Sequence, residues 1–156
     1  MKSKVELFRL ICIVDVIIMR IHIAILKRPY LNLILKGQKR LECRLTKIPC
    51  PPFGQIAAGE KMLLKESGGP VRGQAEVKKV LLFEDLTPDK IDSIYRDYND
   101  QIYGADEYWQ SRRNCRYCTL IWLKNIKPCD PYRLRTRGMR AWLICNGQEI
   151  KRLRNS

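Results

Sequence analysis

The segment 37–44 (GQKRLECR) places an ammonium, a carboxylate and a guanidinium close together along the chain. Glu42 and Arg44 are two residues apart in a stretch that alternates apolar and charged side chains, so on a β-strand both lie on one face. Lys39 lies at the turn before this strand, and its long side chain can reach the same face. Gly37 allows the backbone to leave a preceding helix with positive φ. An acceptor fixed beside two cationic donors suits recognition of a phosphate and a base edge.

A surface ion pair is the competing interpretation of this segment. Charged residues alternate along many solvated strands, and Glu42 would then be shared between Arg40 and Arg44 with little effect on stability. The two interpretations differ in the surroundings of the strand, because a ligand site needs a concave surface beside the three groups.

Charge is unevenly distributed along the 156 residues, which include 30 basic and 16 acidic side chains for a net charge of +14. The segment 20–47 has eight basic residues and one acidic, and the segment 112–154 has twelve basic and two acidic. Between them, the segment 60–111 is net acidic. A fold that joins the two basic ends presents a positive face to an anionic partner. We therefore expect RNA, a nucleoside or a nucleotide as the ligand.

The seven cysteines and the N-terminal segment bear on the location of the protein. An odd number of cysteines without an export signal favours reduced thiols and a cytoplasmic location. The apolar stretch 10–26 is interrupted by Asp15, Arg20 and His22, so its uncharged runs are too short to span a bilayer. No membrane association is predicted. Residues 1–18 are interpreted as an N-terminal extension, either an element covering a sheet edge or a segment upstream of a natural start at Met19.

The elements around the motif predict an α+β fold. A helix follows Pro29 and ends at Gly37, a second begins with Thr87 as N-cap, and a short third helix is expected over 105–112. Strands are predicted over 21–26, 40–45, 60–66, 71–83, 116–127 and 139–145, with a hairpin turn at 67–70. A curved sheet in this order is expected to close into a barrel.

With these elements the sequence resembles the ASCH domain family, a branch of the PUA-like fold. The likeness rests on the Gly-x-Lys-x-x-Glu-x-Arg pattern at 37–44, on Pro29-Tyr30 before it, on Gly59-Glu60 before the next strand and on 138–142 (GMRAW). It covers Met19 to Cys145. The resemblance implies a PUA-like/ASCH β-barrel of about five or six strands with short flanking helices.

This resemblance divides the chain into three parts. The N-terminal extension is 1–18, the ASCH domain is 19–146, and a basic C-terminal tail is 147–156.

The resemblance also implies chemistry. ASCH and PUA-like proteins are linked, as a family, to RNA binding, and some members cut RNA. The small bacterial N4-acetylcytidine amidohydrolases share the scaffold, with a catalytic lysine at the position of Lys39 and a catalytic threonine where this sequence has Glu42. Those enzymes have a third catalytic carboxylate in the later helical region, which Asp106 or Glu107 could supply here.

Four further residues are candidates for ligand contact. Tyr30 lies just before the motif and Trp109 lies in a helical region expected to roof the cleft, so either could stack on a base. Lys65 and Arg72 flank the Gly68-Gly69 hairpin and could extend the groove.

Two other features predict structure rather than chemistry. Cys115 and Cys118 have zinc-like spacing, but residues three apart on a strand point to opposite faces and chelate badly. His22, the only histidine, is expected to be a core or surface residue. No metal and no cofactor are predicted.

The sequence therefore predicts an ASCH-type domain that binds RNA or a modified nucleoside in a basic cleft through Lys39, Glu42 and Arg44. One alternative is a hydrolase, either a ribonuclease or an acylated-nucleoside amidohydrolase, that uses Lys39 and Glu42. A second alternative is a protein-interaction domain whose charge serves solubility.

Overall fold

Six strands form one curled sheet in the described part of the chain, residues 3–6 and 19–156 of a computed structural model. The sheet order is β2-β5-β4-β3-β1-β6. Strands β1 and β3 are parallel and the other neighbours are antiparallel. The strands are β1 (Ile21–Leu26), β2 (Leu41–Thr46), β3 (Lys61–Glu66), β4 (Val71–Phe83), β5 (Tyr117–Tyr132) and β6 (Trp142–Cys145). The predicted α+β half-barrel is confirmed.

Helices cover the two faces of this sheet. Thr87 caps one of them by accepting a hydrogen bond from the Lys90 amide, and Gly37 leaves another with a φ of 76°, as the sequence predicts. No helix of the described residues is long and apolar enough to cross a membrane. The helices are α1 (Arg28–Leu35), α2 (Pro88–Ile102), α3 (Asp106–Ser111) and α4 (Gly147–Asn155).

Three predicted boundaries differ from the observed ones. Strand β5 continues to Tyr132 because β4 is long enough to pair with it throughout. Strand β6 starts only at Trp142, and an irregular segment, 133–141, precedes it. Residues 147–155 were predicted as part of a basic tail but form α4. The predicted N-terminal extension, 1–18, lies outside the described residues apart from 3–6.

The basic composition of the segment 147–156 favoured a tail, but a capping box begins helix α4 there. The Asn146 side chain accepts from the Glu149 amide, and the Glu149 carboxylate accepts from the Asn146 amide. Ile150 and Leu153 then pack against the sheet, while the basic residues of the helix remain exposed. Local sequence therefore specifies this helix, and the basic residues do not prevent it.

The apolar core has three parts, and strand alternation assigns them to two sheet faces. Residues of five strands and of α1 fill the concave side, which we call the inner face; they include Leu26, Leu64 and Ile121. The opposite, outer face of β2 and β5 is covered by α2 and α3. The outer face of β1 and β3 is covered by α4 and by residue Leu134. Glu42 pairs with Ile121, an inner-face residue, so Glu42 and Arg44 point to the inner face.

Candidate functional site

The motif lies on β2, an edge strand whose free side faces the far end of the sheet. Leu41, Cys43 and Leu45 pack on the outer face, so Glu42 and Arg44 point to the inner face, as the alternation predicts. Pairing with β5 fixes this orientation along the whole strand.

Lys39 is enclosed at the start of this strand, with 2% of its surface exposed. Its Nζ donates to the Leu41 carbonyl at 2.6 Å and to the Ile102 carbonyl at 2.5 Å, and lies 3.6 Å from Glu42 Oε2. Two of the three ammonium protons are therefore hydrogen-bonded, and the contact with Glu42 is an ion pair. Burial lowers the pKa of Lys39, and the Glu42 carboxylate acts in the opposite direction. The ammonium therefore joins β2 to the C-terminal end of α2 and orients Glu42.

Glu42 lies between two cations. Its Oε2 faces Lys39, and its Oε1 is 2.8 Å from Arg44 Nε. The side chain of Glu42 is 8% exposed and that of Arg44 is 15% exposed. A carboxylate has about four lone-pair positions, so acceptor capacity remains on the side of Glu42 away from its partners.

Arg44 closes the half-barrel. Its guanidinium donates to the Ile25 carbonyl on β1 at 3.1 Å and to the Ala141 carbonyl next to β6 at 3.2 Å. The guanidinium also lies 5.1 Å from the centre of a Trp142 ring, which adds a cation–π contact. Strand β2 and strand β6 are the two ends of the sheet, so one side chain bridges the opening between them.

A second polar group, formed by His22 and Glu60, lies on the β1 side of the inner face. His22 is fully buried on the inner face, and its Nε2 is 2.8 Å from Glu60 Oε2. Trp142 Nε1, which can only donate, lies 3.0 Å from His22 Nδ1. The imidazole is therefore neutral, with its proton on Nε2 and directed at Glu60. This satisfies the prediction that His22 is a core residue.

Two pKa shifts follow from this arrangement. Burial lowers the pKa of His22, and contact with Glu60 only partly opposes that effect. For Glu60, burial favours a higher pKa, but the Ala57 amide, His22 and Arg20 outweigh it and the pKa is lowered.

The polar face of β2 is more enclosed than the sequence predicted. We expected one face of this strand to be core and the other to meet solvent or ligand, yet Glu42 is 6% exposed. The sheet curls until Arg44 reaches β1, and this covers the inner side of the strand. The motif is therefore neither a solvated surface ion pair nor a widely open cleft.

Thr119 is an inner-face residue that sequence reasoning missed. It pairs directly with Arg44 across β2 and β5, so the two side chains share a face. Thr119 is 1% exposed as a residue. Only the β2–β5 register could have revealed it, and that register is not evident from single strands.

The two predicted stacking residues lie in different surroundings. Tyr30 is half-buried beside the motif, with its ring centre 5.7 Å from Lys39 Nζ, and its hydroxyl accepts from the Ala105 amide at 3.3 Å. Trp109 is buried against α2, where its Nε1 donates to Asn99 Oδ1 at 2.9 Å. The structure thus brings Tyr30 to the motif and gives Trp109 a packing role.

Lys65 and Arg72 are not brought to the motif. Lys65 pairs with Ile25 and Val71, which places its side chain on the outer face. Arg72 donates to Asn32 Oδ1 at 2.9 Å and lies 3.4 Å from a carboxylate oxygen of Glu66, beside α1. Lys65 therefore lies across the sheet from Glu42.

The remaining candidates do not converge on Lys39. Asp106 and Glu107 are exposed in the first turn of α3, so Glu42 is the carboxylate that contacts the lysine. Cys118 is buried with its sulfur 3.8 Å from that of Cys43. No group of three metal-ligating side chains occurs among residues 3–6 and 19–156.

Two small cavities lie away from the motif. One of about 160 Å³ lies between α2 and α3 and is lined by Tyr95, Trp109 and Arg113, among others. The second, of about 340 Å³, lies near Leu86 and Arg116. Neither is lined by a motif residue, which agrees with the closed state of the inner face.

Solved structures match this fold, whereas no protein-family model and no curated protein matches the sequence. The ASCH protein from Zymomonas mobilis superposes with a TM-score of 0.66 at 14% identity, over 85% of this chain and 92% of that one. Two point variants of that protein match with TM-scores of 0.66 and 0.67, at 14% and 15% identity and again over 85% of this chain, covering 95% and 93% of theirs. At this identity the likeness concerns the fold alone. The chain has an ASCH-like fold.

We predict that Arg44→Met lowers the free energy of unfolding by about 3 kcal/mol, because Glu42 keeps only one cation and two carbonyls lose a donor. Urea unfolding followed by circular dichroism measures the change. The matched control is Arg40→Met, an exposed arginine before β2, for which a change within about 0.5 kcal/mol is expected. Equal losses in the two variants would contradict the closure assigned to Arg44.

Acid destabilisation above pH 5 is predicted to depend on His22. The pKa of His22 in the folded state lies below its ordinary value of 6.5. The contribution of the neutral imidazole to folding stability is therefore fully present above pH 6.5. It is lost as the pH falls through the pKa of the folded state. The slope cannot exceed about 1.4 kcal/mol per pH unit for one proton. Glu60 adds its own loss only below its ordinary 4.5.

Thermal unfolding between pH 7.5 and 5 tests this assignment. The His22→Gln variant keeps an acceptor for Trp142 and a donor for Glu60 but cannot titrate. We expect its melting temperature to change less with pH than that of the wild type. Parallel pH profiles for both proteins would show that His22 is not responsible.

Proposed function

We propose that this chain is an RNA-binding domain that holds the edge of a nucleoside base at the closure of its half-barrel. The observation that carries the proposal is the juxtaposition of Glu42, Arg44 and Thr119 on the inner face, in a chain of net charge +14. The positive charge attracts RNA, and the three side chains supply the means to choose among bases.

The unused hydrogen-bonding capacity of these groups supports base recognition. Arg44 has five N–H groups, and two of them donate to the Ile25 and Ala141 carbonyls. Its Nε is buried 2.8 Å from Glu42 Oε1 without a hydrogen bond to it. The remaining donors and the Glu42 lone pairs become available to a ligand, with the Thr119 hydroxyl beside them, when the contact of Arg44 with the far end of the sheet opens. An acceptor next to a donor suits a base with an amine beside a ring acceptor, as in cytosine.

Lys39 acts as a positioning residue in this proposal. Its ammonium is buried, donates to the Leu41 and Ile102 carbonyls and pairs with Glu42, so it is not accessible to a phosphate. This changes the expectation that Lys39 itself contacts the ligand: it holds the carboxylate that does.

Hydrolysis of an acylated nucleoside or of RNA is the second candidate, favoured by one observation. A basic or nucleophilic lysine needs a lowered pKa, and burial lowers that of Lys39. Its enclosure and its two hydrogen bonds to backbone carbonyls weigh against this role. Incubation with acetylated cytidine and with short RNA, followed by mass analysis, distinguishes the candidates: turnover lost in Lys39→Ala would replace the binding proposal with a hydrolase.

The binding proposal predicts that Glu42→Gln reduces the preference for cytidine-rich over uridine-rich RNA by about tenfold, within the discrimination of one good base contact. Fluorescence anisotropy with the two labelled single strands measures both affinities. The matched control is Glu76→Gln, a half-exposed carboxylate on β4 whose removal should leave the ratio unchanged.

Two outcomes would overturn this proposal. An unchanged ratio in Glu42→Gln would remove the carboxylate from base recognition. Affinity for every RNA no tighter than about 10⁻⁴ M at physiological salt would favour a protein-interaction domain.

A further inference from the structure

Lys65 is a buried cation without a carboxylate partner. The residue is 6% exposed, and its Nζ donates only to the neighbouring Glu66 carbonyl at 3.2 Å. Within residues 3–6 and 19–156, no carboxylate oxygen lies within 4.0 Å of this ammonium. The Glu66 carboxylate is instead engaged by Arg28 and Arg72. Lysine is rarely buried unless paired, so this ammonium has unused capacity for an anion.

Two arginines lie near the outer-face row that contains Lys65. Lys65 pairs with Val71, and Val71 pairs with Tyr132, so their three side chains share one face across β3, β4 and β5. Arg133 follows Tyr132 directly, and the guanidinium of Arg154 lies 4.4 Å from the centre of the Tyr132 ring. Neighbouring strands are about 4.8 Å apart, so Lys65 and Tyr132 are separated by only two strand spacings.

No ion pair within the described residues neutralises Lys65, Arg133 or Arg154. Burial lowers the pKa of Lys65 and the neighbouring Arg133 lowers it further, while Glu66 acts in the opposite direction. Arg133 and Arg154 are both exposed and have no carboxylate partner among the described residues. Arg154 stacks on an aromatic face, which leaves the N–H edge of its guanidinium free.

More cations continue from this row along one stretch of chain. The irregular segment 133–141 is bound to α4 by the Arg135 amide, which donates to the Leu153 carbonyl at 2.9 Å, and by the packing of Leu134 with Leu153. All of its basic residues and those of α4 are exposed and have no ion-pair partner in the described part of the chain: Arg133, Arg135, Arg137, Arg140, Lys151, Arg152 and Arg154. One acidic residue, Glu149, accompanies these seven.

We propose that Lys65, Arg133 and Arg154 form a phosphate-binding site on the outer face, which engages the backbone of a nucleic acid. A single small anion would satisfy Lys65, but the series of exposed cations that continues along 133–154 fits the repeated phosphates of a strand. Contacts of these three cations with phosphate oxygens carry no sequence information, so the contribution of the site is independent of sequence. It does not require the base-edge contact proposed for Glu42, because the two sites lie on opposite faces of the sheet.

Salt-dependent anisotropy on the full chain tests this site, with a labelled single-stranded RNA as the probe. We expect Lys65→Met and Arg133→Gln each to reduce the slope of log affinity against log salt by about 0.7, equivalent to about a fourfold loss of affinity at 0.15 M salt. Cytidine and uridine strands should lose affinity equally. Lys78→Gln, an exposed lysine on β4, is the matched control and should have at most half this effect on the slope.

Two further measurements test whether the variants fold and which class of partner the site binds. Lys65→Met should retain a melting temperature at least as high as the wild type, because it removes a buried charge. Vesicles containing anionic lipid provide the competing surface. If the variants lose affinity for vesicles and not for RNA, the nucleic-acid assignment is wrong, and if neither variant differs from Lys78→Gln for any probe, there is no phosphate site at Lys65.

Each of the two proposals has its own readout. Loss of base preference in Glu42→Gln with an unchanged salt slope concerns the inner face alone. A reduced salt slope in Lys65→Met with unchanged base preference concerns the outer face alone.

Discussion

The contact of Arg44 with the far end of the sheet is the constraint on which the site depends. An open six-stranded sheet has two ends, and here one guanidinium joins them through two backbone carbonyls and the face of Trp142. The positions of Glu42 and Lys39 follow from it, because the carboxylate must neutralise Arg44 in an enclosed place and the lysine must neutralise the carboxylate. The motif therefore has a structural role that is independent of the proposed binding role.

The same constraint explains why polar groups continue across the inner face. On the β2 side they are Lys39, Glu42 and Arg44, and on the β1 side they are His22 and Glu60. Trp142 contacts both sets, with its ring toward the guanidinium and its N–H toward the imidazole. A ligand that engages Arg44 would thus act on a connected network of buried polar groups.

Local signals in the sequence predicted most of the elements but not their surroundings. The alternation of 40–45, the Thr87 cap and the positive φ of Gly37 each depend on a few neighbouring residues, and each is observed. The burial of Glu42 and the placement of Lys65 on the outer face depend on sheet curvature and on strand order. Those are set by pairing between distant segments, so no single strand carries the information.

The bridge made by Arg44 also affects how this molecule avoids self-association. Exposed strand edges present unpaired carbonyls and amides that recruit strands of other molecules. Here the Ile25 and Ala141 carbonyls across the gap are already occupied by donors of Arg44. The same arginine thus closes the half-barrel and engages two acceptors on its open side.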